Sequence, residues 1–153
     1  MQIKFRVKVM AEQLKLSNQI CHRLYMANNA ITRAYKPHLD ELGITYPQYL
    51  VMMSLWQEDG VEVGDVRKNT QIDAGALTLI LKKLTQKCLI ELLPSEADKR
   101  VKLVQLTPSG HELKSLAQSI PSKLKCQFPE VASEDLAQLR YLLDKLNGSL
   151  NSN

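Results

Sequence analysis

The chain lacks any uninterrupted apolar stretch of the length a membrane span requires, because its longest runs are broken by charge. Its three cysteines, Cys21, Cys88 and Cys126, include no CxxC pair, so nothing marks a zinc or thioredoxin-type site. The histidines His22, His38 and His111 include no pair at the i,i+4 spacing of a helical metal site, and no metal or cofactor is expected. Residues 1–10 lack the continuous apolar core of a secretory signal. Ile3, Phe5, Val7 and Val9 alternate there with Lys4, Arg6 and Lys8, which suggests a frayed or strand-like arm. The expectation is a cytoplasmic protein without membrane association. Structural disulfides are not expected in that compartment, so each thiol is either a small buried hydrophobe or a reactive group.

What is present is an ordinary globular balance, with 44% hydrophobic and 24% charged residues, which argues against disorder. A length of 153 residues suits one compact domain, or a small domain with extra helices for pairing. The net charge of +4 permits nucleic-acid binding without demanding it, so the placement of the basic residues decides.

Apolar periodicity predicts a long helix from Leu14 to about Leu39, carrying Ile20, Leu24, Ile31 and Tyr35, with Ser17 as its N-cap and Pro37 and Gly43 at its end. Thr45-Tyr46-Pro47-Gln48 reads as a capping box opening a second helix that stops at Gly60. That helix is apolar on several faces and belongs in the middle of the fold.

Val63 to Asn69 is a short helix, followed by a brief turn from Thr70 to Ile72. Asp73 then caps a helix from Ala74 to Lys87 whose inner face is Leu77, Leu81 and Leu84, with Lys82, Lys83 and Lys87 toward its far end. Two helices joined this tightly match helix-turn-helix geometry. Leu89 to Leu93 and Val101 to Leu106 form a β-hairpin with a charged tip, and Val101, Leu103 and Gln105 share one of its faces.

Thr107-Pro108 opens a further helix that bends at Pro121, and Ser133 caps the last one. In the last helix Leu136, Leu139, Leu143 and Leu146 repeat at alternating threes and fours. Such a seam on a terminal helix argues for dimerisation, with folding back on its own core as the alternative. The fold class is therefore mainly α with a small β-wing. A winged helix-turn-helix lobe spans residues 45–106, flanked by dimerisation helices at 12–40 and 108–150.

This order implies DNA binding, because a recognition helix fits the major groove and a wing tip reaches the neighbouring minor groove. The candidate contacts are Thr70 in the turn, Ala74, Gly75, Thr78, Lys82 and Lys83 on the recognition helix, and Asp98, Lys99 and Arg100 at the wing tip. Asp98 is placed to hold the Arg100 guanidinium by a bidentate pair. The partner would be double-stranded DNA with a pseudo-palindromic operator.

From Leu16 to Gly148 the chain resembles the MarR family of dimeric winged-helix regulators. The resemblance rests on Asp98-Lys99-Arg100 followed by Leu106-Thr107-Pro108-Ser109-Gly110. Cys21, Leu24-Tyr25, Ile31-Thr32-Arg33-Ala34-Tyr35-Lys36-Pro37 and Leu42-Gly43-Ile44-Thr45-Tyr46-Pro47-Gln48-Tyr49-Leu50 resemble the OhrR-type organic hydroperoxide sensors. The resemblance implies that Cys21 is the sensing thiol, that Tyr35 and Tyr46 are its hydrogen-bonding partners, and that Cys126 is the second cysteine of the two-cysteine branch. In that branch the oxidised thiol forms a disulfide with the other subunit. Cys21 would lie near the first turn of its helix, where the dipole favours a negative sulfur. Fourteen residues separate it from Tyr35, about 21 Å along a helix axis, so any contact between them must join two subunits.

The chain departs from the resembling proteins at three places. Ala74 and Ala76 stand where hydroxyl residues are usual, Leu92-Leu93-Pro94 replaces an often basic strand, and Cys88 occupies a position usually held by glycine. The expected function is a repressor released when organic hydroperoxide oxidises Cys21. The alternatives are a MarR-type regulator answering a phenolic ligand or an electrophile, and, in a different class, a thiol peroxidase.

Overall fold

The computed structural model describes residues 12–151, so the expected N-terminal arm lies outside the described residues. The described residues are mostly helical, with one small antiparallel sheet. A 3₁₀ turn at Leu16–Asn18 precedes helix α1, Ile20–Glu41. This corrects the expected start. Gln19 is the cap residue and no side chain caps the first turn; the Ser17 carbonyl instead accepts a 2.8 Å bond from the Arg23 guanidinium. Pro37 lies inside α1 rather than ending it. The helix ends where Gly43 adopts φ +66°, with the Ile44 N–H bonded to the Leu39 carbonyl at 3.1 Å and the Gly43 N–H to Asp40 at 3.0 Å. That pair of bonds is a Schellman stop, for which a glycine without a Cβ is the least strained choice.

Helix α2, Tyr46–Gln57, starts at the expected box: the Gln48 side-chain oxygen accepts from the Thr45 N–H at 3.1 Å. Tyr49, Val51, Met52 and Leu55 are buried on more than one face. Helix α2 packs against α1, α3 (Val63–Thr70), α4 (Ala74–Gln86), α5 (Pro108–Ala117) and the sheet, which accounts for its all-round apolarity.

The sheet contains a strand the sequence reading missed. β1 (Val61–Glu62) pairs with β3 (Lys102–Leu106), and β3 pairs with β2 (Ile90–Pro94), all antiparallel. Two residues carry no periodicity, so β1 is invisible until β3 is there to pair with it. On β3 the buried side chains are Val104 and Leu106, so the core face is the one opposite Leu103 and Gln105. Pro94 closes β2, an edge strand, where its missing N–H breaks no ladder.

Gly110 locks the wing to α5. A Cβ there would stand 2.1 Å from the Leu89 carbonyl oxygen, so no side chain fits. Thr107 caps α5 by accepting from the Gly110 N–H at 3.1 Å and donates its hydroxyl to the Cys88 carbonyl at 2.6 Å. The Trp56 indole N–H donates to the Gly110 carbonyl at 3.0 Å, and Lys114 to the Trp56 carbonyl at 2.7 Å.

A second compact unit begins at Ser119. The expected single bent helix is in fact two, because α5 ends at Ala117 and α6 (Ile120–Lys125) restarts with Pro121 at its second position, where proline's missing N–H goes unneeded. The last helix, α7, spans Ser133–Asn151. Ser133 is its first residue rather than its cap, and its hydroxyl pairs with Lys125 at 2.9 Å. Asp135 reaches back to the Ala132 N–H at 3.3 Å instead. No described helix is long and apolar enough to cross a membrane.

Candidate nucleic-acid interface and thiol sites

The helix-turn-helix is α3, a turn and α4. Gln71 takes φ +54° and its N–H bonds to the Arg67 carbonyl at 2.8 Å, which ends α3 abruptly. Asp73 then accepts from the Gly75 and Ala76 N–H groups at 2.8 and 3.3 Å, opening α4 as expected. Leu77, Leu81 and Leu84 are buried, so Ala74, Gly75, Thr78, Lys82 and Lys83 point outward. Thr78 spends its hydroxyl on the Ala74 carbonyl at 2.9 Å yet remains exposed.

Thr70 sits differently from the other candidates. It is half-buried, its hydroxyl donates to the Val66 carbonyl at 2.7 Å, and the same oxygen accepts from the Ile72 N–H at 3.4 Å. These two bonds tie it into the turn.

At the wing tip Asp98 and Arg100 form the expected fork. Arg100 Nε lies 3.1 Å from Asp98 Oδ1, and a terminal guanidinium nitrogen 2.9 Å from Oδ2. The Arg100 backbone N–H adds a third bond to the carboxylate at 2.9 Å. The guanidinium beside it holds the Asp98 carboxyl below its ordinary value. Lys99 and Arg100 are exposed. A second basic feature, not expected from the sequence, is a polar cleft of about 370 Å³ lined by Gly64, Arg67, Lys68, Gln71, Ile72 and Asp73. The basic residues in the last turn of α3 were its only sequence signal.

All three cysteines are free and exposed. Cys21 is the second residue of α1, and Cys126 caps the end of α6. Cys88 occupies the left-handed region at φ +55°. The Cys88 and Leu89 N–H groups bond to the Thr85 and Leu84 carbonyls at 2.9 and 3.1 Å, the same stop that Gly43 makes for α1. Cys88 therefore holds a backbone conformation that favours glycine.

Tyr35 and Tyr46 belong to an aromatic cluster. Their ring centres lie 5.0 Å apart, Tyr49 lies 5.7 Å from Tyr35, and Trp56 lies 6.0 Å from Tyr49. Burial, with the neighbouring phenols Tyr49 and Tyr46, pushes Tyr35 up to about 12, and burial raises Tyr46 and Tyr49 as well. These hydroxyls therefore stay protonated as hydrogen-bond donors. Tyr49 was not among the expected site residues; Tyr35 and Tyr46 are brought together within one chain, whereas Cys21 stands near the opposite end of α1 from Tyr35. A cavity of about 370 Å³ opens beside Tyr46 and is also lined by Arg33, Lys36, Leu39, Ile44 and Pro47. Among the described residues no cluster of three His, Cys, Asp or Glu side chains could hold a metal ion.

Residues 33–116 match the family described as "Transcriptional regulator SarA/Rot". The chain is 39% identical over 140 residues to the organic hydroperoxide resistance transcriptional regulator of Bacillus subtilis (strain 168), covering 92% of this chain and 95% of that one. Among solved structures it is similar to a cysteine-to-serine variant of MarR from E. coli complexed with operator DNA. There the TM-score is 0.76 at 29% identity, over 83% of this chain and 92% of that one. It is also similar to reduced AbfR bound to DNA, with a TM-score of 0.76 at 28% identity, over 92% and 96% of the two chains. The helix order, the wing and these likenesses agree: the chain belongs to the MarR family of winged-helix transcriptional regulators.

Proposed function

We propose that the protein is a homodimeric repressor whose hold on a pseudo-palindromic operator is controlled by oxidation of Cys21. In this reading α4 enters the major groove, Lys82 and Lys83 grip phosphate, and Lys99 and Arg100 at the wing reach the adjacent minor groove. The Asp98 fork keeps the Arg100 side chain in one orientation.

The observation that carries the redox part is the separation of parts along α1. Cys21 lies in its first turn, while the Tyr35–Tyr46 pair sits about 20 Å further along the helix. One chain cannot close this site on itself, but two antiparallel copies of α1 would set each thiol against the partner's phenols. Those phenols remain donors and would orient a peroxide or stabilise the oxidised sulfur.

The chemistry balances simply. The Cys21 thiolate attacks the distal oxygen of an organic hydroperoxide, releasing the alcohol and leaving sulfenic acid. The thiol of Cys126 from the partner then displaces water to form a disulfide. That link moves the recognition helices away from the half-site spacing. The 39% identity to a hydroperoxide resistance regulator supports the choice of oxidant.

A DNA-binding assay with cumene hydroperoxide tests this. Wild type should be released, and Cys21→Ser should stay bound; equal release of both refutes the sensor. A non-reducing gel of oxidised protein should show a crosslinked dimer that Cys126→Ser abolishes. A second reading, release by a small aromatic acid, is favoured by the cavity beside Tyr46 with Arg33 and Lys36 in its wall. Release of the Cys21→Ser variant by a salicylate-like acid would establish it.

A further inference from the structure

Helix α4 carries an outward side chain that neither phosphate contact nor hydrogen-bonded base readout explains. With Leu77, Leu81 and Leu84 buried, the opposite stripe of the helix is Gly75, Leu79, Lys82 and Gln86. Leu79 is 61% exposed, more than any other large hydrophobic side chain between residues 46 and 106. It sits one turn beyond Gly75, and helical side chains lean toward the N-terminus, so it spreads over a glycine and Ala76. The result is a small apolar pad near the start of the helix. Lys82 and Lys83 flank it on one side, and the cleft with Arg67 and Lys68 lies beyond the turn on the other; the Asp73 carboxylate in that cleft is engaged by the Gly75 and Ala76 N–H groups, and the stripe itself carries no acidic side chain.

A pad with basic side chains on both sides fits a polyanion that carries an apolar group at its centre. In the DNA major groove that group is the C5-methyl of thymine. Leucine offers no donor or acceptor, so at this position it cannot read guanine or adenine edges. We propose that Leu79 is a specificity-determining residue that selects a thymine by its methyl group in each half-site. This rests on the DNA-binding reading above.

The test uses the full-length reduced protein and a duplex it enriches from a random-sequence pool. Each thymine of the half-site is then replaced by uracil, symmetrically in both halves, which removes only the methyl. Burial of one methyl corresponds to about fourfold in affinity, so one position should cost the wild type roughly fifteenfold over two half-sites. Leu79→Ala should bind the thymine duplex more weakly and show no penalty for uracil there, whereas Lys82→Ala should keep the penalty. Leu79 is exposed and alanine is a strong helix former, so the variant keeps its fold. If Leu79→Ala and wild type give the same uracil profile, the assignment is overturned and DNA binding stands. If the wild type enriches no duplex, both readings fall.

Discussion

Between Tyr46 and Leu106 the large apolar side chains are mostly inside. Tyr49, Val51, Met52, Leu55, Val66, Leu77, Leu81, Leu84, Ile90 and Val104 are all buried. The helices on either side are the reverse. α1 buries only Leu39 in 22 residues, and α7 buries none in 19. Ile20, Tyr25, Met26 and Ile31 on α1 are exposed, as are Leu139, Tyr141, Leu142 and Leu150 on α7. The winged-helix lobe closes its core within one chain, while α1 and α7 each display apolar side chains that their own unit leaves uncovered. Apolar surface of this extent is seldom left without a partner, and a second copy is the simplest one.

Leu84→Ala should test the closed half most severely. Its side chain is wholly buried, so the expected loss is about 2–5 kcal/mol, read as a lowered urea midpoint. Gly110→Ala follows, because the new methyl would meet backbone oxygen at 2.1 Å. A cost of about 3 kcal/mol and weakened DNA binding through the displaced wing are expected. If either variant unfolds like wild type, the lobe is not the self-sufficient core described here.

Leu139→Ala probes the open half. The side chain is 51% exposed in the single chain, so its truncation should barely alter the monomer. Covering that remainder would contribute roughly 1 kcal/mol per protomer, about thirtyfold in the dimer dissociation constant over two copies. Analytical ultracentrifugation showing unchanged association would remove α7 from the dimer interface.

Cys88→Gly should stabilise by about 0.5–1 kcal/mol, because glycine relieves the left-handed conformation while adding unfolded-state freedom. Gly43→Ala should do the opposite at the matching stop of α1, and thermal unfolding of both variants checks the symmetry of the two helix ends.

The smallest expected effect lies at high pH. Tyr35 is raised from 10.0 to about 12, so the folded state keeps a proton that the unfolded chain releases between those values. This stabilisation is complete below about pH 10 and disappears as pH climbs through about 12. A phenolate absorbance titration should lose its latest-ionising component in Tyr35→Phe.

Much of the lobe could be read directly. Leu77, Leu81 and Leu84 declare the inner face of α4 by spacing, Asp73 its cap, and Asp98 with Arg100 the wing fork. Each involves residues a few positions apart, whose geometry the backbone imposes. The errors fall where position alone is ambiguous. Ser17 and Ser133 are good cap residues by type, but Gln19 precedes α1 and Ser133 is already helical. The hydroxyl of Thr70, an expected DNA contact, also bonds inside the turn, which residue type alone does not reveal.

The amino-acid order alone determined the succession of helices, the turn between α3 and α4, and the wing, because short-range hydrogen bonds and apolar periodicity specify them. Only tertiary structure decided which face of β3 is buried, that Val61–Glu62 joins the sheet, and that Tyr35, Tyr46 and Tyr49 cluster. Those outcomes depend on groups distant along the chain, and no local pattern encodes which of them will meet.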